Sequence, residues 1–172
     1  LDIGCGESRY GDVLREKVKT GEIQYLGVEP DRDAASSFRE SHPWAEVRNC
    51  SFETLELDGR IFDHILVLRS YNHLRDPSDV IERMTQHLRP GGTLLLVDNV
   101  VYGLVRNRAQ AEKGESGPSV FEHYRNDSER EAASVVSKSG LCLMTQSPIV
   151  PGGSNQWFLH YSKPLTEDLA VS

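Results

Sequence analysis

Leu1-Asp2-Ile3-Gly4-Cys5-Gly6 opens the chain, and 23 residues after Gly6 a second apolar run, Tyr25-Leu26-Gly27-Val28, ends in Glu29. An apolar strand running into a glycine turn, then a helix-length segment, then a strand with a carboxylate at its tip predicts a βαβ unit that holds an adenosine. Gly4 and Gly6 let the backbone pass close to a ligand with no Cβ in the way, and Cys5 is carried between them. Glu29 is placed to accept both ribose hydroxyls as a charged acceptor.

The residues after the two glycines decide which nucleotide fits. A dinucleotide fold wants a third glycine where Arg9 stands, and a diphosphate wants a helix N-terminus without a nearby negative charge, where Glu7 lies. S-adenosylmethionine carries no phosphate and bears a sulfonium and an amino group, so the acidic Asp2 and Glu7 suit it better. A nicotinamide dehydrogenase is the weaker reading. Here the chain resembles the class I S-adenosylmethionine-dependent methyltransferases, whose first motif reads like Leu1-Asp2-Ile3-Gly4-Cys5-Gly6. Ser8 stands where that family often has a further glycine. Phe62-Asp63-His64-Ile65-Leu66, then His73-Leu74-Arg75-Asp76-Pro77, then Leu88-Arg89-Pro90-Gly91-Gly92-Thr93-Leu94 resemble the family's later motifs in their usual order.

Strand and helix signals alternate along the chain, which points to an α/β, doubly wound, Rossmann-like sheet. Tyr10, Val13, Leu14 and Val18 recur at helical spacing up to Thr20-Gly21. A strand at 24–28 follows, then a helix capped by Asp31 that buries Ala34, Ala35 and Phe38 and stops before His42-Pro43. A short strand is expected at 45–48, and a central parallel strand covered on both faces at 61–68. A helix over 76–88 presents Val80, Ile81, Met84 and Leu88, and Arg89-Pro90-Gly91-Gly92 reads as a stop and turn before the strand 93–98. Asp127 caps a helix using Ala132, Ala133 and Val136 with Gly140 at its end, and strands at 141–146 and 156–161 close the domain. The resemblance implies seven strands with the last antiparallel. Leu1 already lies in the last residues of a strand that should be several residues long, so the chain, read as one methyltransferase domain over 1–172, is expected to be truncated at its N-terminus, and the resemblance implies that an additional segment or domain there would carry the start of that strand and helices that cover the substrate. Residues 102–124 break the pattern and read as a lid insertion.

Composition narrows the function. With 172 residues, 38% hydrophobic and 26% charged, the chain has the make-up of a globular domain, and a net charge of −7 argues against nucleic-acid and anionic-membrane partners in favour of a small-molecule substrate. Cys5, Cys50 and Cys142 are an odd number without C-x-x-C spacing, which supports no zinc knuckle or disulfide framework, fits a cytoplasmic setting, and leaves them as small buried residues. His42, His64, His87 and His160 read as ordinary helix-end or strand residues, and no histidine pair has metal-ligand spacing.

In open α/β sheets ligands bind beyond the carboxyl ends of the strands. That rule gathers Gly4 to Glu7, Glu29 to Asp31, Asn49 to Phe52, Leu68 to His73 and Asp98 to Tyr102. Pro30 is expected beside the adenine. The resemblance implies an acidic residue after the third strand to receive the adenine amino group, where this chain has Cys50, Ser51 and Phe52, and Ser51 can accept a hydrogen bond. Leu68 and Arg69 should pass the methionine end of the cofactor. Arg69 has two readings, a salt bridge to Asp2, Glu7 or Asp98, or a contact to an acidic substrate. His73 and His123 are the candidate general bases, since histidine titrates near neutrality. The alternative for His73 is a structural tie to the next helix. The function expected is methyl transfer from S-adenosylmethionine, leaving S-adenosylhomocysteine, and the rival is a non-catalytic S-adenosylmethionine-binding or partner-binding module of a larger protein.

Overall fold

The computed structural model describes residues 1–7, 11–100, 124–149 and 155–165. The strands are β1 (Asp2–Ile3), β2 (Leu26–Val28), β3 (Glu46–Arg48), β4 (Phe62–Leu68), β5 (Leu88–Asn99), β6 (Cys142–Pro148) and β7 (Gln156–Ser162). The helices are α1 (Gly11–Lys19), α2 (Arg32–Ser41), α3 (Pro77–Gln86) and α4 (Glu129–Val136). Strand order is β3-β2-β1-β4-β5-β7-β6. The sheet is mixed as expected, because β7 runs antiparallel to both β5 and β6 while β1–β2, β2–β3 and β4–β5 are parallel. The chain divides into two compact units, Leu1–Asp58 and Gly59–Ser172.

In the first unit α2 begins where the sequence places it. Asp31 Oδ1 accepts from the amides of Asp33 and Ala34, both at 2.9 Å, and the helix ends at His42 before Pro43. Ala35 and Phe38 pack with Cys5 and Val47, and Tyr25 stacks on Phe38 with ring centroids 5.8 Å apart. The inner stripe of α1 differs from the expected one. Val13 is 76% exposed, while Gly11, Leu14 and Val18 face inward at i, i+3 and i+7. Gly11 lies under the His42 ring, too close for a Cβ. Tyr10 lies outside the described residues.

In the second unit the register aligns a buried file across three strands. Ile65 pairs with Leu94 and Leu94 with Tyr161, then Val67 with Leu96 and Leu96 with Leu159, and all six are buried. Neighbouring Leu66 and Leu68 are half-buried, so β4 alternates where uniform burial was expected. Val80, Ile81 and Met84 form the buried face of α3, and Leu88 is buried as the first residue of β5. Arg89-Pro90-Gly91-Gly92 does not end one element before another begins. It is a bulge within β5, which pairs Leu88 with Phe62 and Thr93 with His64 and leaves the residues between to bend the strand.

Two further expectations are corrected in this unit. Ser128, not Asp127, caps α4, through a capping box in which Glu131 N donates to Ser128 Oγ and Ser128 N donates to Glu131 Oε2. The Ser128 amide, followed by its hydroxyl, holds the Glu131 carboxyl below its ordinary value. That part of the cap is complete above the usual glutamate range and is lost as pH falls through the lowered value. Cys142 is exposed on β6, whereas Cys5 is buried and Cys50 half-buried.

The bulge yields a stability test. A Cβ on Gly92 would sit 2.8 Å from Leu88 Cδ1 and 2.9 Å from the carbonyl oxygens of Arg89 and Asp63. Two of these three atoms belong to the backbone and cannot swing away. Gly92→Ala is expected to destabilise by about 1–3 kcal/mol, the scale of an overpacked site, read as a lower urea midpoint with an unchanged slope.

Candidate functional site

In the first unit the chain leaves β1 through Gly4, whose amide donates to Val28 O at 2.8 Å, and Cys5, whose amide donates to the same oxygen at 3.2 Å. Gly4 and Gly6 take φ of 69° and 53°, the left-handed region that L side chains disfavour. This turn delivers the Gly6 amide to Glu29 Oε2 at 2.8 Å, and the Asp31 amide reaches Glu29 Oε1 at 2.9 Å. Glu29 is 8% exposed, so its carboxylate is held by backbone on both oxygens. A carboxylate oxygen accepts more than one hydrogen bond, which leaves each of the two capacity for a ligand hydroxyl. Among the described residues, a Cβ built on Gly6 meets nothing within 4 Å.

The third strand end joins the same cluster. Glu29 N donates to Arg48 O at 3.0 Å, and Asn49 Nδ2 donates to the carbonyls of Glu29 and Pro30 at 2.9 and 3.0 Å. Asn49 thereby shapes the Glu29-Pro30 turn, a role that its side-chain type alone did not assign. Ser51, half-buried, starts a 3₁₀ turn at Phe52–Thr54, its hydroxyl 3.3 Å from Thr54 Oγ1. Phe52 is 2% exposed and offers a ligand little ring surface. Asp2 is buried, with Tyr25 Oη donating to its Oδ2 at 2.6 Å. Burial, and then the Asp2 and Glu29 carboxylates, push the Cys5 thiol far up, so it stays protonated and is no nucleophile.

In the second unit β4 ends at Leu68, which is half-buried, and Arg69, which is exposed and adopts a φ of 63°. The Arg69 amide still donates to Val97 O at 2.6 Å, and its guanidinium Nη2 donates to Asn99 Oδ1 at 3.4 Å, not to Asp98. A 3₁₀ turn at Tyr71–His73 follows. Asp98 is 1% exposed, and its carboxylate accepts from the amides of Asn72 at 2.9 Å and Asn99 at 2.8 Å. His73 is half-buried in the turn, with its amide donating to Ser70 O at 3.2 Å. His123 and nearly all of the expected lid, residues 102–123, lie outside the described residues.

Asn72 links this turn to the segment that leads into α4. Its Nδ2 donates to Asn99 O at 3.2 Å, and its Oδ1 and O accept from the amides of Asp127 and Arg125 at 2.9 and 3.2 Å. The Asp127 carboxylate takes Arg125 Nε at 2.8 Å and Tyr71 Oη at 3.4 Å, and its carbonyl takes Trp157 Nε1 at 3.1 Å. Tyr71 meets the Trp157 ring edge-on at 5.7 Å. Burial, then Asp127, raises the Tyr71 phenol well above its ordinary value against the opposing pull of Arg125, so it donates and does not act as a base. Sequence reasoning missed this network because its members, from Tyr71 to Trp157, are as much as 86 residues apart; the only signal was the polarity of Asn72, Asp98 and Asp127 beside apolar runs.

Residues 1–94 match the family described as "Methyltransferase domain", more than half of the chain. The chain belongs to that methyltransferase family. Among curated relatives, a tRNA U34 carboxymethyltransferase of Trichlorobacter lovleyi is 31% identical over 60% of this chain and 32% of its own length. A ubiquinone biosynthesis O-methyltransferase of Methylococcus capsulatus is 29% identical over 55% of this chain and 40% of its own length. The methyltransferase chain thus spans about a third to two-fifths of these relatives. Its fold is also that of a TehB-like SAM-dependent methyltransferase from Corynebacterium glutamicum, at a TM-score of 0.63 and 18% identity over 94% of this chain and 78% of the other. Among the described residues no helix is long and apolar enough to cross a membrane, and no group of three or more His, Cys, Asp and Glu could hold a metal ion.

The Asn72 linkage makes a measurable claim on this methyltransferase fold. Asn72→Ala removes a buried acceptor and donor at once, leaving Asp127 N and Asn99 O without their partner, and the expected cost is about 2–4 kcal/mol. Chemical denaturation of the variant against Asn49→Ala, whose partners are part-exposed carbonyls, should show the larger loss at Asn72.

Proposed function

We propose that this chain transfers the methyl group of S-adenosylmethionine to a small-molecule acceptor, releasing S-adenosylhomocysteine. The observation that carries the reading is the Glu29 carboxylate, buried at the end of β2 and fixed by the amides of Gly6 and Asp31. Holding the carboxylate in one orientation before a ribose arrives removes the ordering cost that a free side chain would incur. The net charge of −7 favours a small acceptor over a polyanion such as tRNA. An exposed Cys142 thiol supports a reducing, cytoplasmic setting.

When bound, S-adenosylmethionine supplies a methyl group already activated on a sulfonium. The residues of the chain then have modest work: to bind, align and exclude water. Glu29 accepts the ribose hydroxyls, Gly4, Cys5 and Gly6 offer backbone at the glycine turn, and Pro30, Ser51 and the edge of Phe52 border the adenine. Asp2 sets the charge beneath the glycine turn. Leu68 and Arg69 serve the methionine end. Where the acceptor must lose a proton, His73 or His123 receives it.

Calorimetry with S-adenosylhomocysteine tests the cofactor assignment. Glu29→Ala should weaken binding by roughly 1.5–3 kcal/mol, the scale for losing hydrogen bonds to a charged group. Gly6→Val should abolish it, since the side chain would fill the open space beside the Gly6 amide. Normal affinity in folded forms of both variants would refute the placement.

Single-turnover kinetics test His73. As the base, His73→Gln lowers turnover about 10²–10⁴-fold with cofactor affinity intact. A parallel fall in thermal stability, affinity and turnover would instead make His73 a structural tie.

A further inference from the structure

At the carboxyl end of β4 and β5 the described charged side chains are held in different ways. The Asp98 carboxylate accepts two backbone amides, and Arg125 pairs with Asp127 at 2.8 Å. Arg69 is exposed, and among the described residues its guanidinium has one hydrogen bond, to the neutral Asn99 Oδ1 at 3.4 Å. Most of its N–H donors therefore have no described protein partner. The residue carrying this cation is also the strained point of the strand end: its φ of 63° is unfavourable for a side chain with a Cβ, and its amide is nevertheless kept on Val97 O at 2.6 Å. A glycine would relieve that strain, so a long cationic side chain in its place points to a use for the cation. Asn99, buried and itself anchored through its amide to Asp98 and through its carbonyl to Asn72, gives the guanidinium a fixed neighbour.

From this juxtaposition we propose that Arg69 binds a carboxylate in the loaded site, its planar fork meeting the two carboxylate oxygens. The inference rests on the methyl-transfer reading, which offers two sources of that group: the α-carboxylate of the cofactor and a carboxylate on the acceptor. The chemistry is the same in both, and the two are separable by experiment.

Calorimetry on the full chain uses two pairs of probes with wild type, Arg69→Gln, Arg69→Lys and Arg69→Gly. The first pair is S-adenosylhomocysteine and its decarboxylated analogue, which lacks only the carboxylate. The second, on protein saturated with S-adenosylhomocysteine, sets benzoate, 4-hydroxybenzoate and phenylacetate each against its carboxamide. Wild type should prefer the carboxylate member of one pair by at least about tenfold, and Arg69→Gln and Arg69→Gly should abolish that preference. Arg69→Lys should keep part of it, as a point charge without the fork. Loss within the first pair assigns the cofactor carboxylate, and loss within the second assigns the acceptor's.

Arg69→Gly separates binding from folding. It should raise the thermal midpoint or leave it unchanged while losing the carboxylate preference. If wild type shows no carboxylate preference in either pair, or if all three variants retain it, the proposal is overturned. If wild type does not bind S-adenosylhomocysteine at all, the methyl-transfer reading falls, and the carboxylate and carboxamide probes are then compared on the unliganded protein to judge Arg69 separately.

Discussion

A buried carboxylate that accepts two backbone amides governs the strand ends in both units. Glu29 takes the amide of Asp31, two residues on in its own turn, and that of Gly6 in the turn after the paired strand β1. Asp98 takes the amide of Asn99, next in its own chain, and that of Asn72 in the turn after the paired strand β4. A parallel strand that ends in a buried turn leaves amides with no ladder partner, and such a group left unmade costs about 1–3 kcal/mol. An acidic side chain at the tip of the neighbouring strand removes that cost. The same amides remove part of the cost of burying the charge.

The two carboxylates have different surroundings, and this sets different uses. Beside Glu29 the Gly6 position is open among the described residues, and the turn is bordered by Pro30 and Asn49. Asp98 is 1% exposed and sits among Asn72, Asn99 and the strand ladder. One faces space that the described residues leave open, and the other closes a joint. The joint in turn fixes where Arg69 leaves the sheet and where Arg125 and Asp127 return to it. Tyr71 and Trp157 complete the joint by covering Asp127, with the phenol and the indole each donating to it.

Much of the first unit was legible because its information is local. Asp31 caps α2 within three residues, Pro43 stops it, and the glycine turn lies one helix away from the carboxylate it serves. The inner stripe of α1 was not, since helical spacing admits both the Val13 and the Gly11 faces, and the ring of His42, on α2's far end, decides between them. The bulge in β5 was read as a turn because Pro90-Gly91-Gly92 carries that chemistry. Pairing of Gly91 N and Gly92 O with Lys163 keeps the segment in the sheet. Asp127 reads as a cap for α4 on its side-chain type, yet the next residue, Ser128, has the glutamate three positions on that completes the box.

By itself the sequence determined the alternation of strand and helix, the glycine turn, the carboxylate at the tip of the second strand and the family those features belong to, because each is written in residues close along the chain. Only the tertiary structure decided which polar residues are joints and which are not. Arg69 and Asp98 look like a salt bridge on paper. The fold instead gives Asp98 two backbone amides, from Asn72 in the turn after β4 and from the adjacent Asn99, and sets the Arg69 guanidinium on the Asn99 side-chain oxygen. The register of the paired strands determines which donors reach a buried acceptor.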